Sequence, residues 1–82
     1  MKYFIEFKRT ALKDLEKINK NDAIAIMSKI KIMEGGLSGD IKRLTNYTPE
    51  YRLRIGNFRI LFEIIGHKIL IYKIKHRKES YR

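Results

Sequence analysis

Arg52, Arg54 and Arg59 are the residues of this chain whose types and spacing point most directly to chemistry. They sit in the run Tyr51-Arg52-Leu53-Arg54-Ile55, then Gly56-Asn57, then Phe58-Arg59-Ile60-Leu61-Phe62. Apolar and polar residues alternate in both halves, the period of a half-buried strand. Gly-Asn between them is a two-residue hairpin turn, which fixes the register. Ile55 then faces Phe58, Arg54 faces Arg59 and Leu53 faces Ile60. Two arginines oppose each other on one face, with Arg52 two residues along. Like charges directly across a sheet destabilise it. An arginine pair such as Arg52/Arg54 is ordinarily a solvated strand face, but the opposing Arg59 points to a cluster that holds an anion. Guanidinium forks match the oxygens of a phosphate and are always charged, so a phosphate backbone suits the site. The alternation places the three arginines on a solvent-facing side of the sheet, away from the helices.

The rest of the chain supplies the elements that hold this ribbon. Tyr3-Phe4-Ile5-Glu6-Phe7 reads as a strand. Thr10 is placed to cap a helix whose apolar residues Ala11, Leu12, Leu15 and Ile18 recur at helical spacing. Asn19-Lys20-Asn21 interrupts it. Asp22 is the expected cap of a second helix with the stripe Ala23, Ile26, Met27, Ile30 and Met33, ended by Glu34-Gly35-Gly36. Asp40 to Leu44 is a short extended segment, and Asn46 to Glu50 turns around the single proline. A last strand runs near Ile69 to Lys75 after a Gly66-His67 turn. Ile69 and Ile71 then share the core face with Phe62 and Ile64, and strict alternation would put Lys73 and Lys75 there too. Either the sheet is apolar on both faces at its centre or a bulge shifts the register. The order β-α-α-β-β-β describes an α+β domain spanning 1–82, two N-terminal helices packed on a largely antiparallel sheet.

Composition narrows the function classes. The chain has 82 residues and a net charge of +10, and from Pro49 onward its only acids are Glu50, Glu63 and Glu79. Such a charge calls for a nucleic acid or an acidic protein as partner. There is no cysteine and only His67 and His76, so neither a disulfide framework nor a zinc site is expected. The apolar stretches are too short to span a bilayer and the start has no secretory h-region, so a cytoplasmic protein without a membrane partner is expected.

Gly39-Asp40-Ile41-Lys42-Arg43-Leu44, the hairpin Tyr51 to Glu63, and His76-Arg77-Lys78-Glu79-Ser80-Tyr81 together resemble the RelE branch of the RelE/ParE toxin superfamily. Phe7 to Ile18 resembles that family's first helix. The resemblance implies a RelE-like fold and the toxin of a type II toxin–antitoxin pair. It further implies an endoribonuclease that enters the ribosomal A site and cuts mRNA there. The attacking group would be the message's own 2′-hydroxyl, with no metal or other cofactor. The family's active-site residues carry over to Arg52, Arg54, Arg59, Arg77 and Tyr81. Some members have lysine at the first pair, where this chain has two arginines.

Attack by a 2′-hydroxyl requires a proton acceptor, cations to hold the charge building on the phosphate, and a proton donor for the leaving 5′-oxygen. Arg52, Arg54 and Arg59 suit the second role. Arginine is a poor base. His76 is the nearby side chain whose imidazole suits a proton acceptor, with Glu50 and Glu63 as other acceptors. Alternatively positioning and charge neutralisation dominate. Arg77 would neutralise the leaving oxygen, and Tyr81 would stack on a base or donate a proton. The implied partners are an acidic antitoxin in a hetero-oligomer, the ribosome with its rRNA, and mRNA. Two other readings stand beside this one. One is a ParE-like toxin that poisons gyrase, expected to lack the strand-and-tail basic set. The other is a catalytically inactive relative that only binds RNA or represses with its partner.

Overall fold

Two glycine turns set the centre of the sheet. Gly56 and Gly66 both have positive φ (+55° and +60°), a backbone region that L side chains rarely adopt. Each is the first residue of a two-residue link. The first joins β3 (Tyr51–Ile55) to β4 (Phe58–Ile65), and the second joins β4 to β5 (Lys68–His76). The computed structural model describes residues 2–80. The remaining elements are β1 (Phe4–Phe7), α1 (Arg9–Lys17), α2 (Lys20–Ile32) with a 3-10 turn at Met33–Gly35, β2 (Asp40–Arg43) and α3 (Arg77–Ser80). The five strands are ordered β1-β5-β4-β3-β2. β1 runs parallel to β5, and every other neighbouring pair is antiparallel.

Leu53, Ile60, Phe62, Ile69, Ile71 and Ile74 form one face of the sheet and pack with Ala11, Ile26, Ile30 and Met33. Tyr51 stacks on Phe62 at the edge of this core, ring centroids 5.5 Å apart. The α+β arrangement is the one read from the sequence, with N-terminal helices against one face of a largely antiparallel sheet. The expected order β-α-α-β-β-β is corrected, since Asp40–Arg43 pairs with β3 as a full strand and the short helix α3 follows β5.

Both solutions to the register problem of the last strand are realised. Phe62 pairs with Ile71 but Leu61 pairs with Lys73, so Tyr72 is an extra residue in β5. This bulge returns Ile74 to the core face and sends Lys75 to the other, opposite Arg59. Leu61 and Leu70 are also buried, so the second face is apolar at its centre. Helix α1 satisfies the backbone near the bulge. The Thr10 hydroxyl donates to the Tyr72 carbonyl at 2.6 Å, and the Asp14 carboxylate accepts from the Ile74 N–H at 2.9 Å. Lys8 places its ammonium 4.4 Å from the Tyr72 ring centroid.

Three local expectations are corrected. Thr10 is not a cap. Helix α1 begins at Arg9 behind Lys8, which makes no side-chain cap, and the Thr10 hydroxyl is used by β5. The cap of α2 is Asn19 rather than Asp22. The Asn19 Oδ1 accepts from the Asp22 N–H, and the Asn19 amide donates back to the Asp22 carboxylate. Asn-x-x-Asp thus works as a reciprocal capping pair, with the acid inside the first turn. Met27 lies on the exposed side of α2, while Ile26, Ile30 and Met33 are buried.

Candidate functional site

The β3–β4 register is the expected one: Leu53 opposite Ile60, Arg54 opposite Arg59, Ile55 opposite Phe58. Since Leu53 and Ile60 are in the helix-side core, alternation puts Arg52, Arg54 and Arg59 on the opposite face. The register continues across the sheet. Asp40 on β2 stands opposite Arg54, and Lys75 on β5 stands opposite Arg59. Four strands therefore carry one row of charged residues in the order Asp40, Arg54, Arg59, Lys75. Arg52 sits in the next row, between Lys42 and Leu61.

The three arginines differ in environment, and the expectation that all face solvent is corrected for Arg59. Arg54 is exposed. The Arg52 side chain is mostly covered, at 19% exposure. Arg59 is 7% exposed. Its guanidinium Nη1 donates to the carbonyls of Gly56 (3.2 Å) and Phe58 (3.1 Å), so it braces the tight turn that sets the register. Alternation gives the face of a side chain and not its depth; a guanidinium curled onto its own turn is covered even on the outer face.

Asp40 supplies negative charge inside the cluster. Its two oxygens lie 3.5 Å from Arg52 Nη2 and 3.1 Å from Arg54 Nε. Part of the repulsion expected between the arginines is thus offset within the chain.

The C-terminal candidates gather around the hairpin tip. The Arg77 N–H donates to the Asn57 carbonyl at 2.6 Å, which ties the start of α3 to the turn that Arg59 braces. Tyr81 lies outside the described residues. His76 pairs with Phe58 and meets its ring edge-on, centroids 5.3 Å apart. Phe58 packs against the core, so His76 lies on the helix side and does not share the face of the arginines. Its Nδ1 accepts from the Lys78 N–H at 3.2 Å. Glu50 and Glu63 stand together off the basic row, Glu63 lying on the arginine face two residues beyond the Leu61 that pairs with Arg52. The Glu63 carboxylate accepts from the Glu50 N–H at 2.8 Å, and Glu50 pairs with Arg43 at 3.2 Å. These contacts tie down the 44–50 loop and engage both acids. With them, Tyr47 and Tyr72 line an open groove.

Residues 5–81 match the family described as "ParE toxin of type II toxin-antitoxin system, parDE". The chain belongs to the RelE/ParE toxin superfamily. Among curated relatives, Toxin RelE3 of Methanocaldococcus jannaschii is 32% identical, over 92% of this chain and 91% of the relative. Among solved structures, a chain of the RelB-RelE antitoxin–toxin complex from Methanococcus jannaschii superposes with a TM-score of 0.79. It shares 31% identity and covers 93% of this chain and 94% of its own. A chain of the RelBE2 toxin–antitoxin complex of Mycobacterium tuberculosis superposes with a TM-score of 0.80 at 22% identity, over 94% of this chain and all of its own, and shows the shared fold.

Two residues of the superfamily member's charged face were not singled out from sequence. Lys75 joins the row only because Tyr72 is an extra residue. Asp40 joins it by pairing with Arg54, fourteen positions further along the chain, and no local pattern announces that pairing. The Gly-Asp start of the extended segment was the available signal.

Proposed function

We propose that this protein is the toxin of a type II toxin–antitoxin pair and acts as a ribosome-dependent endoribonuclease that cuts mRNA in the A site. The observation that carries the reading is the basic row Arg54, Arg59, Lys75 with Arg52 beside it, on the sheet face opposite the helices. In this reading the attacking group is the message's 2′-hydroxyl and the bond broken is that from phosphorus to the 5′-oxygen of the next nucleotide. The products are a cyclic phosphate and a 5′-hydroxyl. Arg52 and Arg54 seat the phosphate. Arg59 acts mainly by holding the hairpin tip rigid and adding fixed positive charge. Arg77, tied to the same tip, neutralises the leaving oxygen, and the role that the family resemblance gives Tyr81 is to stack on a base or donate a proton. Among the described residues the one carboxylate in that row, Asp40, is engaged by Arg52 and Arg54, so in this reading positioning and charge stabilisation carry most of the rate. The site of action is the cytoplasm, where message is translated.

The partners that follow are the ribosome, mRNA and an acidic antitoxin, in keeping with the antitoxin–toxin complexes formed by the relatives. The family match also carries the ParE description, which supports a second reading as a gyrase poison. Primer extension on message from cells expressing the chain separates the two. Cuts within translated codons that vanish when translation is blocked support the nuclease; intact message with cleaved DNA complexes supports the gyrase poison. Intact message and intact DNA, with retained RNA binding, mark an inactive relative.

A further inference from the structure

We infer that Asp40 is a built-in counter-ion: it occupies, in the unliganded protein, the anion seat formed by Arg52 and Arg54, and a phosphate must displace it to bind. This inference rests on the reading of the arginine face as a phosphate site and adds a residue that governs it.

The geometry is that of one anion shared by two guanidiniums. Asp40 Oδ2 lies 3.1 Å from Arg54 Nε and Oδ1 lies 3.5 Å from Arg52 Nη2. A phosphodiester likewise presents two oxygens sharing one negative charge, so the two ligands compete for the same donors. Arg52 Nε is buried without a hydrogen-bond partner among the described residues, so Asp40 leaves one donor of the pair unsatisfied. The carboxylate is positioned by the backbone. Gly39, at φ +105°, precedes it, and a Cβ there would come within 3.0 Å of Leu53 Cδ1. A glycine is therefore what lets β2 approach β3 closely enough to bring Asp40 over the arginines.

Exchange is cheap because Asp40 is half-exposed, at 54%. Exposed ion pairs hold weakly, since water competes for both partners. The carboxylate is thus strong enough to keep two repelling guanidiniums converged on one point and weak enough to yield to a phosphate. It also lowers the positive charge that a non-specific anion meets. Asp40 is a positioning residue in this scheme: it touches the guanidiniums and not the reacting atoms.

The test uses the full chain, an RNA made uncleavable by 2′-deoxy substitution, and inorganic phosphate as a second probe. Asp40→Asn keeps the shape and removes the charge. It is expected to bind the RNA at least about threefold more tightly, with a salt slope steeper by about 0.7 on a log–log plot, one single-strand phosphate contact. Asp40→Glu should bind as the parent does, and Glu16→Gln, a charge loss on the exposed side of α1, should change nothing. The Arg54 Nε–Hε resonance should move on Asp40→Asn. It should move in the parent when inorganic phosphate is added, at a lower phosphate concentration in the variant. If phosphate shows this exchange but neither protein binds RNA, the seat stands and the nuclease reading fails. If Asp40→Asn binds both probes no more tightly than Glu16→Gln, or more weakly, Asp40 is only a strand-pairing acid and the inference is overturned.

Discussion

At the scale of single residues, the arginines that look equivalent in sequence do different work. Arg54 is exposed, so its loss should affect stability by no more than about 0.5 kcal/mol. If it stabilises charge on the phosphate, its loss should slow cleavage on programmed ribosomes by about 100- to 1000-fold. Wild-type cleavage by a folded Arg54→Ala protein would remove it from the site. Arg59 is buried and bonded to two turn carbonyls. Arg59→Ala should therefore cost about 1.5–3 kcal/mol of stability, the range for charged hydrogen bonds, in addition to activity. A urea melt reads the first and ribosome cleavage the second, and a melt unchanged by the substitution would contradict the bracing role. His76 faces the helices and accepts from Lys78. His76→Ala should cost well under the ~100-fold expected on removing a general base. A larger loss, in a variant with a normal melt, would restore His76 as the proton acceptor and overturn the positioning account.

At the scale of elements, the bulge in β5 decides which charges reach the site. Ile69, Ile71 and Ile74 all face the core only because Tyr72 is extra. Deleting Tyr72 leaves Ile71-Lys73-Ile74-Lys75, a regular alternation that keeps both isoleucines inside. The deletion should remove little more than the Thr10 hydrogen bond and the Lys8 stacking, about 1–3 kcal/mol together. Deleting Leu70 instead turns Ile69 or Ile71 out of the core and should abolish the cooperative melt. Equal damage from both deletions would show that the bulge itself is required by the fold. The same comparison explains what could be read in advance. The hairpin register was legible because Gly56-Asn57 is short and local, and Arg54 opposite Arg59 follows by counting. The bulge was legible only as one of two options: strict alternation puts Lys73 and Lys75 inside, but Leu70 and Tyr72 are apolar enough to suit either face, so the pattern does not choose between a bulge and a sheet apolar on both faces. Asn19 and Asp22 are both competent caps, and their mutual bond settles which one leads. Thr10 was misassigned because its hydroxyl answers a carbonyl 62 residues away. Lys75 and Asp40 depended on strand order, a long-range property that no local window contains.

At the scale of the whole molecule, charge and exposed apolar surface divide the work of recognition. The net charge is +10, and the described acids on the arginine face are largely spent on internal pairs with Arg52, Arg54 and Arg43. Large apolar side chains stand exposed on the helix side: Ile24 and Met27 of α2 border an open groove with Ile5 and Phe7 of β1. An acidic antitoxin segment would be drawn in by the field of the whole molecule and held by apolar contact. These two parts respond differently to salt. Long-range attraction is screened once the Debye length falls below molecular dimensions, whereas apolar burial is not weakened by salt. The association rate with the co-encoded antitoxin should therefore fall at least about tenfold between roughly 50 mM and 500 mM salt, as for electrostatically steered pairs. The dissociation rate should change far less over that range, because it reports the contacts already made. Stopped-flow mixing across a salt series measures both. An association rate that stays flat would show that the charge serves the RNA and not the antitoxin. A dissociation rate that rises as steeply as the association rate falls would show that ion pairs, and not apolar contacts, hold the complex.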